Sequence, residues 1–220
     1  MTDSNHSEPT APAPKAKPKR RSRADNEQRI LAAAEDVFAQ YGYQGAAIDA
    51  IAERTGLSKQ NMLYYFNSKE VLYQRVLQNI LDLWLDKMAL LEQEGESPKA
   101  MLENYIRGKI ELSRTHPNGS KVFANEIIHG ATRLREYLES HLLPQLDADV
   151  QLIRQWIAEG KMDPIDPYHL FFMIWASTQT YADFSTQIEL ALNKPQLEEQ
   201  DYEDASDFLI QLILKGTGVI

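Results

Sequence analysis

Apolar residues recur at the spacing of an α-helix along most of the chain after residue 24. In the first such segment, from Asp25 to Tyr41, they fall on one side of a helix: Ile30, Leu31, Ala34, Val37, Phe38 and Tyr41. Gly42 follows, and a glycine at this place is a common end of a helix. The pattern predicts an amphipathic helix that buries this stripe, Tyr41 included.

Small residues in the next segment predict two short helices joined by a tight turn. The first runs over residues 46–54, where Ala52 lets a second helix cross closely. Gly56 can take the positive φ that such a turn needs, and Leu57 covers the corner. Ser58 is a suitable N-cap for the second helix. The spacing is typical of a helix-turn-helix, although taken alone it fits an ordinary helical hairpin equally well.

The remainder of the chain is also predicted to be helical, with no strand pattern and no internal repeat. A long connecting helix runs from about Ser68 to Leu91. His116–Gly119 predicts a break, and Pro144 either kinks one helix or opens another. Spacing, capping residues, prolines and glycines predict the later helices: 98–115, 121–129, 133–141, 144–159, 167–185 and 200–215, the last stopped by Gly216.

These elements predict an all-α fold in three parts. Residues 1–24 mix proline with six Lys and Arg and offer almost nothing apolar to bury, so we expect a disordered arm. Residues 25–72 form a small three-helix bundle that contains the turn motif. Residues 73–220 form a larger helical body.

Charge is divided unevenly along this acidic chain, whose net charge is −9. Residues 1–80 hold 11 Lys and Arg against 9 Asp and Glu, whereas residues 81–220 hold 12 against 23. DNA phosphates would repel the acidic body and would leave the N-terminal end as the face that approaches a duplex.

Composition narrows the class of protein. The 220 residues, 43% of them hydrophobic, suffice for one or two buried cores. The absence of cysteine excludes disulfides, thiol chemistry and cysteine-ligated zinc, and it suits a reducing cytosol. The longest apolar run, 170–176, is far shorter than the roughly 20 residues that span a membrane. We therefore expect a cytoplasmic protein with no membrane segment and no signal peptide.

The run SKQNMLYYFNSKEVLY (58–73) resembles the signature of TetR-type bacterial regulators. The resemblance implies a DNA-binding domain at 25–72 and a domain for effector binding and dimerisation at 73–220. It also implies a homodimer formed by the last two long helices. The two turn motifs of such a dimer enter successive major grooves, about 34–36 Å apart, on a pseudo-palindromic operator.

Candidate DNA contacts lie in the basic arm and around the turn motif: Arg20, Arg21, Arg23, Gln44, Ala47, Ser58, Lys59, Gln60, Asn61, Tyr64, Tyr65 and Lys69. Lys59, Gln60 and Asn61 are candidates for base edges. The tyrosines, Lys69 and the arm arginines are candidates for phosphate or groove contacts, although the arm also fits a solubilising tail. Many relatives carry Thr where Ala47 stands, so the phosphate contact of that hydroxyl is absent here.

Two helices predict the dimer surface. The segment 167–185 is apolar on two sides, which indicates that one side fills the core and the other meets a second copy. The last helix offers a similar surface, with Phe208, Leu209, Leu212 and Ile213.

Two longer segments, 163–184 and 125–131, resemble the pyrimidine-responsive branch of the TetR-type regulators. This implies uracil or thymine as the effector. Trp175 and Gln179 lie one turn apart, so that the indole can stack on a flat ring and the amide can read its edge. Trp175 fits an ordinary core position equally well. Weaker candidates for the same site are Asn125, Glu126, His129, Ser177 and Tyr181.

Two alternatives remain open from the sequence. One is a TetR-type regulator of efflux or catabolic genes whose effector is an apolar xenobiotic or a fatty-acyl compound. The other is a helical small-molecule-binding or scaffolding protein without DNA binding. We expect no enzyme, metal or cofactor: Glu126 and His129 have the spacing of a di-iron bundle, but no second such pair occurs, and zinc spacings, phosphate loops and nucleophile elbows are absent.

Overall fold

The computed structural model describes residues 22–92 and 97–219, and all regular elements in these ranges are helical. The helices are α1 (Arg23–Gly45), α2 (Ile48–Thr55), α3 (Lys59–Tyr65), α4 (Lys69–Met88), α5 (Pro98–Thr115), α6 (Pro117–Ile128), α7 (Arg135–Tyr137), α8 (Leu143–Ala158), α9 (Pro167–Asp183), α10 (Ser185–Ala191) and α11 (Glu199–Thr217). A 3-10 turn, Ala89–Glu92, extends α4. The all-α prediction is confirmed.

The turn between α2 and α3 has the geometry that its small residues predict. Gly56 adopts φ 66° and ψ 22°, and its N–H donates to the carbonyls of Ala52 and Glu53. The Ser58 hydroxyl then accepts a hydrogen bond from the Asn61 N–H at 3.1 Å and caps α3. This local geometry sets the crossing of the two helices, because a left-handed residue closes one helix immediately before a capped second one.

Helix α1 begins earlier than predicted, whereas its regular part ends at Gly42 as predicted. It begins at Arg23, since Ser22 and Asp25 form a reciprocal capping box. At the other end, Gly42 interrupts the helix with φ 65° and ψ 175°, and the chain turns before Gly45. Tyr41, the last residue before this interruption, is 53% exposed, so the prediction that its ring is buried is wrong.

Helix α6 begins four residues earlier than expected, so the predicted break at Gly119 is wrong. Pro117 is the first helical residue, a position where a missing N–H costs nothing. Gly119 is buried inside the helix, and a Cβ there would lie 3.1 Å from Cγ1 of Ile80. Its role is therefore the close approach of α6 to α4.

The C-terminal half contains three further differences. Pro144 lies in the first turn of α8, and a π-helical turn at Leu138–Leu142 precedes it and absorbs the distortion. The short helix α10 occupies residues for which no helix was predicted. Helix α11 continues through Gly216 and ends at Gly218, where φ is 67°. Asp166 caps α9 as predicted, accepting from the N–H groups of Tyr168 and His169.

Buried side chains form two cores that meet along α4. The first core joins α1–α3 to the N-terminal part of α4 and reaches Trp84, Leu112 and Val122 in the body. The second core joins α5, α8, α9 and α11. The N-terminal bundle is thus packed continuously onto α5 and α6. None of the described helices is long and apolar enough to cross a membrane.

Candidate DNA-reading surface and effector cavity

The N-terminal end of α3 presents its polar side chains to solvent. Lys59, Gln60 and Asn61 are all exposed, while Met62 faces inward and is fully buried. The Lys59 ammonium lies 3.0 Å from the Asp49 carboxylate, and both side chains are more than half exposed. Exposed ion pairs contribute little to stability, so Lys59 can leave Asp49 for DNA at small cost.

The aromatic pair at the end of α3 extends this surface toward the start of α1. Tyr64 is 72% exposed, and its ring meets that of Tyr65 edge-on at 5.5 Å. The Tyr65 hydroxyl accepts a hydrogen bond from Nδ2 of Asn26 at 3.1 Å. The Arg23 guanidinium lies 5.7 Å from the Tyr64 ring centroid, which places the last basic residue of the arm at the same face. Arg20 and Arg21 lie outside the described residues.

Lys69 lies at the opposite end of this surface, at the first residue of α4. Its ammonium donates to the Gln44 carbonyl at 3.3 Å and lies 4.7 Å from the Tyr43 ring centroid. Burial lowers the pKa of Lys69, and the nearby charge of Arg133 lowers it further. Gln44 and Ala47 are both exposed, and Ala47 precedes α2 without a side-chain cap.

Substituting Lys69 with alanine is expected to weaken binding to specific and unrelated DNA alike. A phosphate contact carries no sequence information, so the logarithmic dependence of affinity on salt should also become shallower by about one unit. Fluorescence anisotropy across a salt series measures both effects. Lys161→Ala, in the body, removes the same charge and serves as the control; an unchanged salt slope for Lys69→Ala would exclude the contact.

A cavity of about 260 Å³ lies inside the body, under the junction of the two cores. Most of its wall is apolar or aromatic, and the lining residues are Leu81, Trp84, Met88, Lys109, Phe123, Ile127, Leu138, Leu142, Trp175 and Gln179. Trp175 and Gln179 therefore face the same cavity, as their spacing predicts. The indole Nε1 of Trp175 donates to the Tyr105 hydroxyl at 2.7 Å, which holds the ring in place.

Lys109 is the polar residue of this cavity that the sequence analysis missed. Its side chain is only 3% exposed, and its ammonium lies 4.4 Å from the Trp84 ring centroid. Burial lowers the pKa of Lys109 to about 7, while the carboxylate of Asp183 opposes this shift. A signal was present, because Lys109 lies one turn after Tyr105 on the buried side of α5.

The other candidate effector residues lie elsewhere. Asn125, Glu126 and His129 line a separate cavity of about 390 Å³ between the body and the N-terminal bundle. Two sides of α6 face the two cavities. Phe123 and Ile127 point at the first cavity, whereas Glu126 points at the N-terminal bundle.

Ser177 and Tyr181 lie on α9 but do not line the cavity at Trp175 and Gln179. The Ser177 hydroxyl bonds back to the Met173 carbonyl, and the Tyr181 ring lies 6.3 Å from that of Tyr202 on α11. The single site expected from the sequence is thus divided in space.

Known proteins share this arrangement of helices and domains. Residues 30–76 match the family of bacterial regulatory proteins called tetR, and residues 77–219 match the C-terminal region of YcdC-like proteins. The chain is 42% identical over 199 residues to the HTH-type transcriptional regulator RutR of Escherichia coli K12, covering 90% of this chain and 93% of RutR. The chain belongs to the TetR family.

Solved structures of other proteins share the fold at low sequence identity. The ketosteroid transcriptional regulator KstR2 of Mycobacterium tuberculosis superposes with a TM-score of 0.69 at 20% identity, covering 87% of this chain and 94% of KstR2. AibR, in complex with isovaleryl coenzyme A and operator DNA, superposes with a TM-score of 0.67 at 16% identity, covering 85% of this chain and 97% of AibR. At these identities the likeness concerns the fold alone.

This TetR-family protein is a ligand-responsive, DNA-binding transcriptional regulator. Its helices α9 and α11 are the ones that the sequence assigns to dimerisation, but Leu209 and Ile213, expected on that surface, are buried in the second core. Phe172, Met173, Phe208 and Leu212 are between 43% and 62% exposed, although they are large and apolar. Such a surface is typical of the interface between two copies of a chain.

Proposed function

We propose that the effector is uracil or thymine, that it binds beside Trp175, Gln179 and Lys109, and that it releases the protein from its operator. In this proposal the protein is a homodimeric repressor of genes for pyrimidine metabolism, joined through α9 and α11. The observation that carries the proposal is the chemistry of the cavity, together with the sequence resemblance to the pyrimidine-responsive branch.

The cavity suits a small flat ring. Trp84, Phe123 and Trp175 supply aromatic walls, and the volume of about 260 Å³ lies below the range of about 300–1,000 Å³ usual for drug-sized ligands. A long fatty-acyl chain fits this space poorly, whereas a single six-membered ring fits it well.

The two polar side chains of the wall match the edge of a pyrimidine. The Lys109 ammonium can donate to a ring carbonyl, and the Gln179 amide can donate to a carbonyl and accept from a ring N–H. A buried polar edge left without a partner costs about 1–3 kcal/mol. The same two residues therefore favour a ring with carbonyls over an apolar ring of equal size.

Release of DNA requires that the effector prefer the conformation that does not bind the operator. Shifting a two-state balance from 99:1 to 1:99 takes about 5.5 kcal/mol of preferential binding. A ligand that binds both conformations equally leaves operator affinity unchanged, however tightly it binds.

We expect uracil or thymine to lower the affinity for DNA from the protein's own promoter region, measured by gel shift or fluorescence anisotropy. Gln179→Ala should shift this response to higher effector concentration, whereas Gln187→Ala on the exposed helix α10 should not. If only a different metabolite releases the DNA, the assignment of uracil or thymine as effector is wrong, and the assignment of the protein as a regulator remains. Failure to bind any promoter DNA would favour a small-molecule-binding protein without DNA binding.

A further inference from the structure

Two cations from different domains share the ring of Tyr43, just after the turn at Gly42. The Arg133 guanidinium lies 3.9 Å from the ring centroid, and the Lys69 ammonium lies 4.7 Å from it. Lys69 belongs to the N-terminal end of α4, whereas Arg133 follows α6 in the body. An aromatic face attracts cations, but two cations on one ring also repel each other.

A tightly determined turn holds Arg133 in this position. Gly130 and Ala131 both have positive φ, 89° and 54°, which is rare for alanine. The Ala131 N–H donates to the Glu126 carbonyl at 2.8 Å, and the Arg133 N–H donates to the Glu126 carboxylate at 2.8 Å. The Glu126 side chain is 3% exposed and neighbours the Tyr73 hydroxyl, whose pKa is raised by burial and by this carboxylate. Glu126 thus ties the turn to the N-terminal bundle.

Arg133 weakens the binding of the Lys69 ammonium to the Tyr43 ring. With the guanidinium on the ring, the ammonium of Lys69 keeps only part of the attraction of Tyr43 and meets a like charge. The carboxylate of Glu70 lies 3.7 Å from Nε of Arg133, and the Glu70 side chain is 58% exposed. Because water surrounds this carboxylate, it reduces the repulsion between Arg133 and Lys69 only weakly. A phosphate beside Lys69 would relieve the repulsion, which favours movement of the ammonium from the ring toward the phosphate.

We propose that Arg133 is a positioning residue for DNA binding: it occupies the Tyr43 ring from the body and thereby directs Lys69 toward the phosphate backbone. The inference rests on the proposed function, because the phosphate contact of Lys69 is part of it. It assigns a role in DNA binding to a residue of the body.

The turn at Gly130 and Ala131 also connects Arg133 to the proposed effector cavity. Ile127 lines the cavity, and the preceding residue, Glu126, anchors Arg133. A displacement of Ile127 by a bound effector moves the anchor of Arg133 as well, since the two residues are adjacent on α6. An effector that displaced Ile127 would therefore also shift Arg133 away from the position from which it directs Lys69.

The test compares Arg133→Gln with Arg135→Gln, which removes the same charge from an exposed residue paired only with Glu139 at 3.7 Å among the described residues. Arg133→Gln is expected to weaken operator binding about two- to tenfold, the range of one cation–π contact, and Arg135→Gln to leave it unchanged. Arg133→Lys should recover part of the affinity. Calorimetry should show uracil affinity within about twofold of wild type for both glutamine variants, since neither residue lines the cavity.

A double-mutant cycle separates positioning from a merely structural role. If Arg133 acts through Lys69, then Lys69→Ala alone and Lys69→Ala with Arg133→Gln should bind the operator equally. Tyr43→Phe should retain the effect of Arg133, and Tyr43→Leu should remove it. Additive losses in the cycle, or unchanged operator affinity of Arg133→Gln, would overturn the inference.

Titration of the wild-type protein with operator DNA distinguishes failure of the proposed function from failure of the positioning role of Arg133. If the wild-type protein and the Arg133→Gln variant bind the operator with equal affinity, only the positioning role of Arg133 is overturned. Wild-type protein that binds no operator overturns the proposed function and this inference together. An effector other than uracil leaves the operator measurements, and thus the positioning role, standing.

Discussion

Replacement of Lys109 with methionine is expected to weaken the binding of uracil or thymine about ten- to a hundredfold, the worth of one hydrogen bond to a charged group. Methionine fills nearly the same volume in the wall of the cavity but donates no proton to a ring carbonyl. Isothermal titration calorimetry measures the loss. Lys161→Met, at an exposed position, is the control, and equal affinity in the two variants would contradict the placement of the effector at Lys109.

The same substitution should change how stability depends on pH. Burial lowers the pKa of Lys109 from its ordinary value near 10.5 to about 7, so between these values the unfolded chain carries a proton that the folded chain lacks. The contribution of Lys109 to the free energy of unfolding therefore rises as the pH increases from about 7 toward 10.5. Lys109→Met should remove this rise, which urea denaturation at pH 7 and pH 9 can detect. An equal change in the free energy of unfolding between pH 7 and pH 9 for variant and wild type would argue against the lowered pKa of Lys109.

Substituting Phe208 with glutamate is expected to yield a monomer that binds its operator at least ~100-fold more weakly. The symmetry of a dimer places the new charge at the interface twice, and like charges buried together cost several kcal/mol. Monomers also lose the gain from engaging two half-sites at once. Analytical ultracentrifugation measures the assembly, and fluorescence anisotropy measures the DNA affinity.

Two controls distinguish a lost dimer from a damaged fold. Gln151→Glu adds the same charge to an exposed position of α8 and should leave a dimer. The cavity is lined by residues of one chain, so Phe208→Glu should bind uracil nearly as well as wild type. A variant that remains a dimer would exclude Phe208 from the interface, and a monomer that binds DNA normally would show that operator binding does not require the dimer.

Local rules of chain geometry were sufficient for the DNA-reading end of the molecule. The left-handed glycine at position 56 and the hydroxyl cap at position 58 act within a few residues of themselves, so their spacing alone predicted the turn. The same rules failed at Gly119 and Gly216, which lie inside helices. A glycine that permits close packing and a glycine that ends a helix look alike in a sequence, because the neighbour that distinguishes them is distant along the chain.

The candidate effector site was predictable only along one helix. Trp175 and Gln179 share a face of α9 by helical spacing, and they do line one cavity. Lys109 joins them from α5, and its lowered pKa arises from burial against residues far away in sequence. Glu126 and His129, expected beside them, point instead toward the N-terminal bundle.

The sequence by itself thus determined the helical class, the turn motif and the family, since these depend on periodicity and on short-range capping. Only the tertiary structure decided which polar groups meet. It separated the effector cavity from the cavity at Glu126, and it brought Arg133 of the body onto the Tyr43 ring beside Lys69. Packing between helices sets such contacts, and the rotation of each helix about its axis follows from all of its neighbours at once.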